Sequence, residues 1–289
     1  MIKQKKAYIY AISAVILWST AASAFKITLR YIKPISMLFY SSLTALIALS
    51  IILLIQRKSF IDYSKKEILN SAILGLLNPF AYYIILFKAY SLLPAQLAQP
   101  LNFIWPLMIV LFSIPILKQK ITYQSILSIF TSFVGVVIIS TKGRIFDLRF
   151  DSPLGIFLAL FSSIIWALFF IFNIKDKRDE ISKLFLSFVF GVIFTAIIYL
   201  PNFHIPHWKG LLGSVYIGLF EMGITFIIWI RALKLSRTTA EVNNLIYLTP
   251  FISLLFISFV VGEKILFSTI IGLILIISGI ILQQKFKRS

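Results

Sequence analysis

Glu221 is the one carboxylate of ten that falls near the middle of a long apolar run, in Leu219-Phe220-Glu221-Met222-Gly223. An ionised carboxylate at the centre of a bilayer costs on the order of 3 kcal/mol even on the lenient insertion scale, so its presence needs a reason. Two readings fit. It holds a substrate amine or exchanges a proton, or it is a neutral Glu hydrogen-bonded across a helix interface. An earlier apolar run places Asn78, in Leu77-Asn78-Pro79, at the corresponding depth.

A second pattern occurs twice. Gln99, Phe103 and Pro106 are matched by Asn243, Tyr247 and Pro250, so each copy sets an amide four residues before an aromatic and seven before a proline. Residues four apart share a helix face, and a proline frees a backbone carbonyl about one turn earlier. An amide and a freed carbonyl on one face can bind a polar group at membrane depth, provided that the face is turned away from lipid. Pro100, Pro106 and Pro250 are the expected hinges. Trp18, Tyr82, Asn102, Trp105, Trp166 and Tyr247 join Asn78, Gln99, Glu221 and Asn243 as candidate substrate-binding residues. The aromatic faces can take up a ring or a cation, and the asparagines can orient a carboxylate or an amine. The bland reading is core packing and, for the prolines, a packing kink.

These residues sit in a chain that is 60% hydrophobic and 13% charged, with a mean hydropathy of +0.96. A soluble domain is roughly 45–50% apolar and about 25% charged. The expected class is an all-α membrane protein with ten transmembrane helices over residues 7–26, 34–55, 68–87, 94–117, 121–141, 152–174, 184–200, 211–230, 238–260 and 265–283. Most reach the roughly 17–25 residues that a spanning helix requires. The ten fall into two matched sets of five, residues 1–141 and 152–284. Trp18 aligns with Trp166, Ser36-x-Leu38-Phe39-x-Ser41 with Ser182-x-Leu184-Phe185-x-Ser187, Lys88-Ala89 with Arg231-Ala232, and Gly135 with Gly279. Five is odd, so two halves of one fold enter the membrane from opposite sides. That makes inverted-topology repeats, whose interface is where secondary transporters bind substrate. Spans one, three, four, six, eight and nine are expected to line the cavity. Spans five and ten, with the small residues Ser128, Ser132, Gly135, Gly272 and Gly279, would support it from outside.

The net charge of +18 raises nucleic acid as a partner. The basic residues are instead divided by side: roughly two thirds of them, among them Lys3, Lys5, Lys6, Arg57, Lys65, Lys175, Arg178, Lys183 and Lys234, fall on one side of the ten spans, which the positive-inside rule makes cytoplasmic. Both termini are then inside, the lipid bilayer is the partner, and nucleic acid is not. The N-terminal lysines and Ala22-Ser23-Ala24 imitate a cleavable signal, but this segment pairs with the sixth span and is read as retained. With no cysteine in the chain, disulfides and thiolate metal sites are excluded. The two histidines, His204 and His207, lie in the short seventh loop, and no P-loop, H-E-x-x-H or G-x-S-x-G pattern occurs. No enzymatic activity, catalytic residue, metal or cofactor is expected, and ATP does not drive this chain directly.

The tryptophans of the first span in each half, Ala232-Leu233-Lys234-Leu235-Ser236, and Pro250 followed by Gly262-Glu263-Lys264 resemble the EamA-type members of the drug/metabolite transporter superfamily over essentially the whole chain. The first half departs at the last feature, with Lys118-Gln119-Lys120. Leu17-Trp18-Ser19-Thr20, Asn102-Phe103-Ile104-Trp105-Pro106 and Ser152-Pro153-Leu154 are similar to the bacterial aromatic amino-acid exporter branch. The resemblance implies a secondary transporter of the bacterial inner membrane that exports small amphipathic metabolites, aromatic or neutral amino acids foremost, by alternating access. Cationic drugs or another metabolite are the alternative. Coupling to protons and a homodimeric state are left open.

Overall fold

In a computed structural model, residues 2–57, 63–117, 123–144, 150, 152–236, 242 and 244–286 are described. Among them there is no strand, and eight helical segments are long and apolar enough to cross a membrane. The fifth and tenth expected spans also fall on helices, with shorter apolar runs at Ile126–Ser140 and Phe267–Leu282.

The elements are α1 (Ile2–Thr28), α2 (Pro34–Ile55), α3 (Lys65–Gly75), α4 (Tyr82–Leu92), α5 (Ala95–Asn102), α6 (Trp105–Leu117) and α7 (Tyr123–Ser140). They continue with α8 (Pro153–Lys175), α9 (Glu180–Tyr199), α10 (Trp208–Ile217), α11 (Ile224–Leu235), α12 (Thr249–Phe256) and α13 (Phe267–Phe286). Local chemistry sets the ends. The Ser64 hydroxyl accepts from the Glu67 N–H while the Glu67 carboxylate accepts from the Ser64 N–H, a reciprocal cap that starts α3. Asp179 accepts from the N–H groups of Ile181 and Ser182 and starts α9 four residues before the expected boundary. The intervening charge, Lys183, does not end the helix, because its ammonium donates to the carbonyls of Asn173 and Asp176 at the C-terminus of α8.

Two interruptions recur at matched places. A π segment kinked at Asn78 (φ −146°, ψ 121°), Leu76–Ala81, separates α3 from α4, and a second π segment, Gly218–Gly223, separates α10 from α11. Such segments are rare and cluster at functional sites. In the fourth span α5 gives way to α6 across a turn at Phe103 and Ile104, and in the ninth a 3₁₀ segment, Asn244–Leu248, runs into α12. Pro106 and Pro250 are each the second residue of the helix after the break, where a missing N–H leaves nothing unpaired. Pro100 lies inside α5 and marks no break.

Packing follows an exchange pattern. α1 packs on α10, α11 and α12, while α8 packs on α4, α5 and α6. α2 meets α10 and the π segment after it, and α9 meets α3 and its π segment. At those last two crossings Gly218 sits against the Ser41 carbonyl and Gly75 against the Ser187 carbonyl, so close that a Cβ on either would overlap it. α7 and α13 form the most extensive pair, and they run antiparallel: Gly143 lies by Ser268, Gly135 by Gly272, and Ser128 by Gly279. The Ser132 hydroxyl donates to the Ile276 carbonyl at 3.0 Å along the same seam. The start of α2 likewise lies beside the end of α9, where the Tyr40 and Tyr199 hydroxyls are 3.3 Å apart. The apolar core gathers residues from both halves, whereas Phe130, Phe133, Phe157, Ile197 and Phe259 are exposed on the outer surface, as lipid-facing residues should be.

Candidate functional site

A cavity of ≈ 560 Å³ lies between the halves. Among the described residues its wall comes from α1, α4, α5, α6, α8, the π segment before α11, α11 itself, and the broken helix that ends in α12, with Glu180 from α9 and Ile280 from α13. Of the candidate residues, Trp18, Tyr82, Gln99, Asn102, Trp105, Trp166, Glu221 and Tyr247 all line it, as does Pro106. Asn78 does not: it is buried in the Leu76–Ala81 segment with extended backbone angles and an unpartnered Oδ1. Asn243 lies outside the described residues. Pro100 and Pro250 are buried beside the cavity without lining it.

Glu221 is presented by the π-helical turn Gly218–Gly223, and its Oε1 accepts from the Tyr83 hydroxyl at 3.1 Å. The Trp18 indole N–H donates to the Glu221 backbone carbonyl at 3.3 Å, and its ring packs against Phe226 (5.3 Å between centroids) and Trp229 (5.5 Å). Across the cavity Trp166 packs on Tyr82 at 4.7 Å, and the Tyr82 hydroxyl donates to Asn102 Oδ1 at 3.2 Å. Asn102 passes its own Nδ2 hydrogen to Ser162 at 2.9 Å, tying the fourth span to the sixth, as Ser19 ties the first to the ninth through the Thr249 carbonyl at 3.2 Å. Gln99, 9% exposed, leaves its Oε1 without a partner. Among the described residues no group of three His, Cys, Asp or Glu is placed to hold a metal ion.

The start of α1 packs with Ala232 and Val242, which defines a near side of the molecule. There the cavity reaches Asn173, Leu233 and Glu180, whose side chain is 47% exposed. Close by, Arg178 pairs with Asp176. Burial pushes the Asp176 carboxyl up, but the side-chain and backbone hydrogen bonds from Arg178 outweigh it and hold the group below its ordinary range.

On the far side the elements around the cavity are tied to one another. Lys26 Nζ donates to the carbonyls of Tyr90 (2.9 Å) and Leu93 (2.6 Å) at the end of α4. The Glu263 carboxylate accepts from the Ala95 N–H (2.7 Å) and the Gln96 N–H (3.0 Å) at the start of α5. A cation at a helix C-terminus and an anion at an N-terminus both complement the helix dipole. The Gln96 side chain adds bonds to the Lys264 carbonyl and the Leu266 N–H, each 2.8 Å, and Arg30 reaches the Val261 carbonyl at 3.2 Å. The corner between α4 and α5 is thus clasped by the chain between the ninth and tenth spans. Gly262, with φ +81°, makes the turn that aims Glu263, a left-handed conformation that costs other residues roughly 1–2 kcal/mol. In the sequence Lys26 stands at a helix end, where a basic side chain can snorkel to water, and Glu263 stands in a short run between two spans with no local partner. The signal that was available is the conjunction of Gly262-Glu263 with Pro94, a helix stop and a helix start whose capping groups are not local.

The sequence profile of the EamA-like transporter family matches residues 5–141 and again residues 153–283. Over 192 residues the chain is 30% identical to an uncharacterized transporter of Clostridium kluyveri, spanning 61% of this chain and 60% of that protein. It is 25% identical over 273 residues to the uncharacterized transporter YyaM of Bacillus subtilis (89% and 86%), and 23% identical over 281 residues to an uncharacterized transporter of Archaeoglobus fulgidus (95% and 97%). A solved crystal structure superposes with a TM-score of 0.68 over 98% of each chain at 20% identity, a likeness of fold alone. With its helical, bilayer-length segments and a solvent-reaching cavity between them, the chain belongs to the EamA-like transporter family and is a multi-pass membrane transporter.

Proposed function

We propose that the protein is a secondary transporter of the bacterial plasma membrane, with both termini in the cytoplasm, that exports small amphipathic metabolites by alternating access. Neutral and aromatic amino acids and organic cations are the classes to test. Two five-helix repeats of inverted topology would rock about the cavity. The two profile matches, the exchange pattern of packing and the antiparallel run of α7 against α13 support this architecture. The observation that carries the reading is the one-sided cavity: its volume lies within the roughly 300–1,000 Å³ that small-molecule sites occupy. It reaches a half-exposed carboxylate on the near side and is clasped shut on the far side. Closure on one side at a time is what vectorial movement needs, since a solute that sees both sides at once leaks. Glu221 supplies a group that can hold an amine or exchange a proton during the cycle.

The reading is tested by efflux of radiolabelled amino acids and amines from reconstituted vesicles, alongside cysteine tags at Ser64 and His204 in the cysteine-free chain. An impermeant thiol reagent applied to intact cells should label His204→Cys and spare Ser64→Cys. The opposite pattern overturns the orientation, and vesicles that move none of the solutes faster than protein-free ones overturn the transport reading.

A further inference from the structure

Within that transport reading, on which the inference rests, we propose that the cavity selects by charge and takes an organic cation with an apolar or aromatic body in preference to a zwitterion or an anion. The chain carries 28 Lys and Arg. Among the described residues, none of these and neither histidine lines the cavity, while two carboxylates do. Glu180 is shared with Lys183, whose ammonium lies 3.0 Å from its Oε1. Glu221 has no basic partner among the described residues: Oε1 accepts the Tyr83 hydroxyl, and Oε2 is left to the cavity. Gln99 adds a buried, unpartnered carbonyl oxygen to the same wall, a second acceptor for an ammonium N–H.

The apolar part of the site fits the same cargo. Trp18, held by its indole N–H to the Glu221 backbone, forms an aromatic corner with Phe226 and Trp229. Ring faces attract cations, most strongly where water is excluded. A zwitterionic amino acid can offer its ammonium to Glu221, but its carboxylate then enters a low-dielectric cavity with no base to pair with. Leaving a charge unpaired there is costly. An anion meets the field of Glu221 with nothing to offset it.

Four matched probes with one phenyl body test this in purified protein: 2-phenylethylamine, phenylalanine, 3-phenylpropionate and uncharged 2-phenylethanol. Intrinsic fluorescence reports binding, because Trp18, Trp105, Trp166 and Trp229 line the cavity and only Trp208 of the five tryptophans does not. The expected result is that the amine binds at least about tenfold more tightly than phenylalanine and that 3-phenylpropionate does not saturate. Glu221→Gln should weaken the amine by about tenfold or more while leaving 2-phenylethanol unchanged, which also reports that the cavity is intact. Tyr83→Phe, which frees the carboxylate from its hydrogen bond, should keep the preference for the amine. Phenylalanine or 3-phenylpropionate binding as tightly as the amine overturns cation selection and leaves the transport reading standing, as does unchanged amine affinity in Glu221→Gln with 2-phenylethanol still bound. Absence of binding by all four probes removes the cavity as a solute site and takes both readings with it.

Discussion

The two ends of the cavity are built from similar materials and behave differently. At each a lysine donates to the last carbonyls of a helix: Lys183 at the end of α8 on the near side, Lys26 at the end of α4 on the far side. At the near end the accompanying carboxylate, Glu180, comes from the first turn of the next helix and stays half exposed, so the contact is local and the cavity mouth passes beside it. At the far end the carboxylate is Glu263, more than 160 residues from the two N–H groups it accepts. A local cap stabilises one helix in every state of the molecule. A cap borrowed from the other half stabilises only the state in which the halves meet. The far end is therefore a clasp, and the near end is a pair of well-finished helix termini.

The largest effect is expected from breaking the clasp. Glu263→Gln removes the charge from two hydrogen bonds to the start of α5, each bond to a charged group being worth about 1.5–3 kcal/mol. A net loss of about 2–3 kcal/mol from the far-closed state shifts the conformational equilibrium by about 30- to 150-fold. The shift should be read as faster labelling, from the far side, of a cysteine placed in the cavity. Unchanged labelling would reduce the clasp to a static loop contact.

A smaller effect, and one of another kind, is expected away from the cavity. Gly135→Leu forces a side chain against the Gly272 carbonyl in the α7 and α13 seam, where even a Cβ has no room. Overpacking of this sort costs about 1–3 kcal/mol. The yield of folded protein and its thermal midpoint should fall, while cargo affinity in the fraction that folds stays as it was. An altered affinity would show that the seam moves with the cavity instead of bracing it.

The smallest effect belongs to the near end. The Asp176 carboxyl is held below its ordinary range in the folded protein, so the stability it contributes is present above the unfolded-state value near 3.9 and is lost as pH falls through the folded-state value. The difference in thermal stability between the native chain and Asp176→Asn should be greatest near pH 7 and should close below about pH 4. A constant difference across that range would mean that Arg178 is not what holds Asp176.

The same contrast between local and borrowed contacts explains which features could be read from sequence. Bilayer-length apolar runs are dictated by the solvent, so all eight segments judged long enough fall on expected spans. Helix ends shifted outward where charge is consumed by caps, as at Lys183. The matched aromatics and amides drew attention to the cavity because Trp18 and Trp166, or Gln99 and Tyr247, sit on repeated patterns, and these residues do line one space. The interruptions of the third and eighth expected spans are not legible in this way. Pro100, Pro106 and Pro250 are the visible helix breakers, yet Leu77-Asn78-Pro79 carries a kink and Phe220-Glu221-Met222-Gly223 a π-helical turn, which spacing alone does not reveal. Gly75 and Gly218, which pack against Ser187 and Ser41, carry no signal in the sequence either. A glycine in an apolar helix tells nothing of the backbone that approaches it until the partner helix is in place.

Thiol labelling of two cavity positions from each membrane face measures one-sided access. Asn173 lines the near part of the cavity and Phe25, beside Lys26, the far part. In the cysteine-free chain, Asn173→Cys should react with an impermeant reagent from the cytoplasmic face and not from the other. Phe25→Cys should be shielded from the far face until Glu263→Gln is added, and then react there. Equal labelling of Phe25→Cys from the far face with Glu263 in place would contradict a cavity closed on that side.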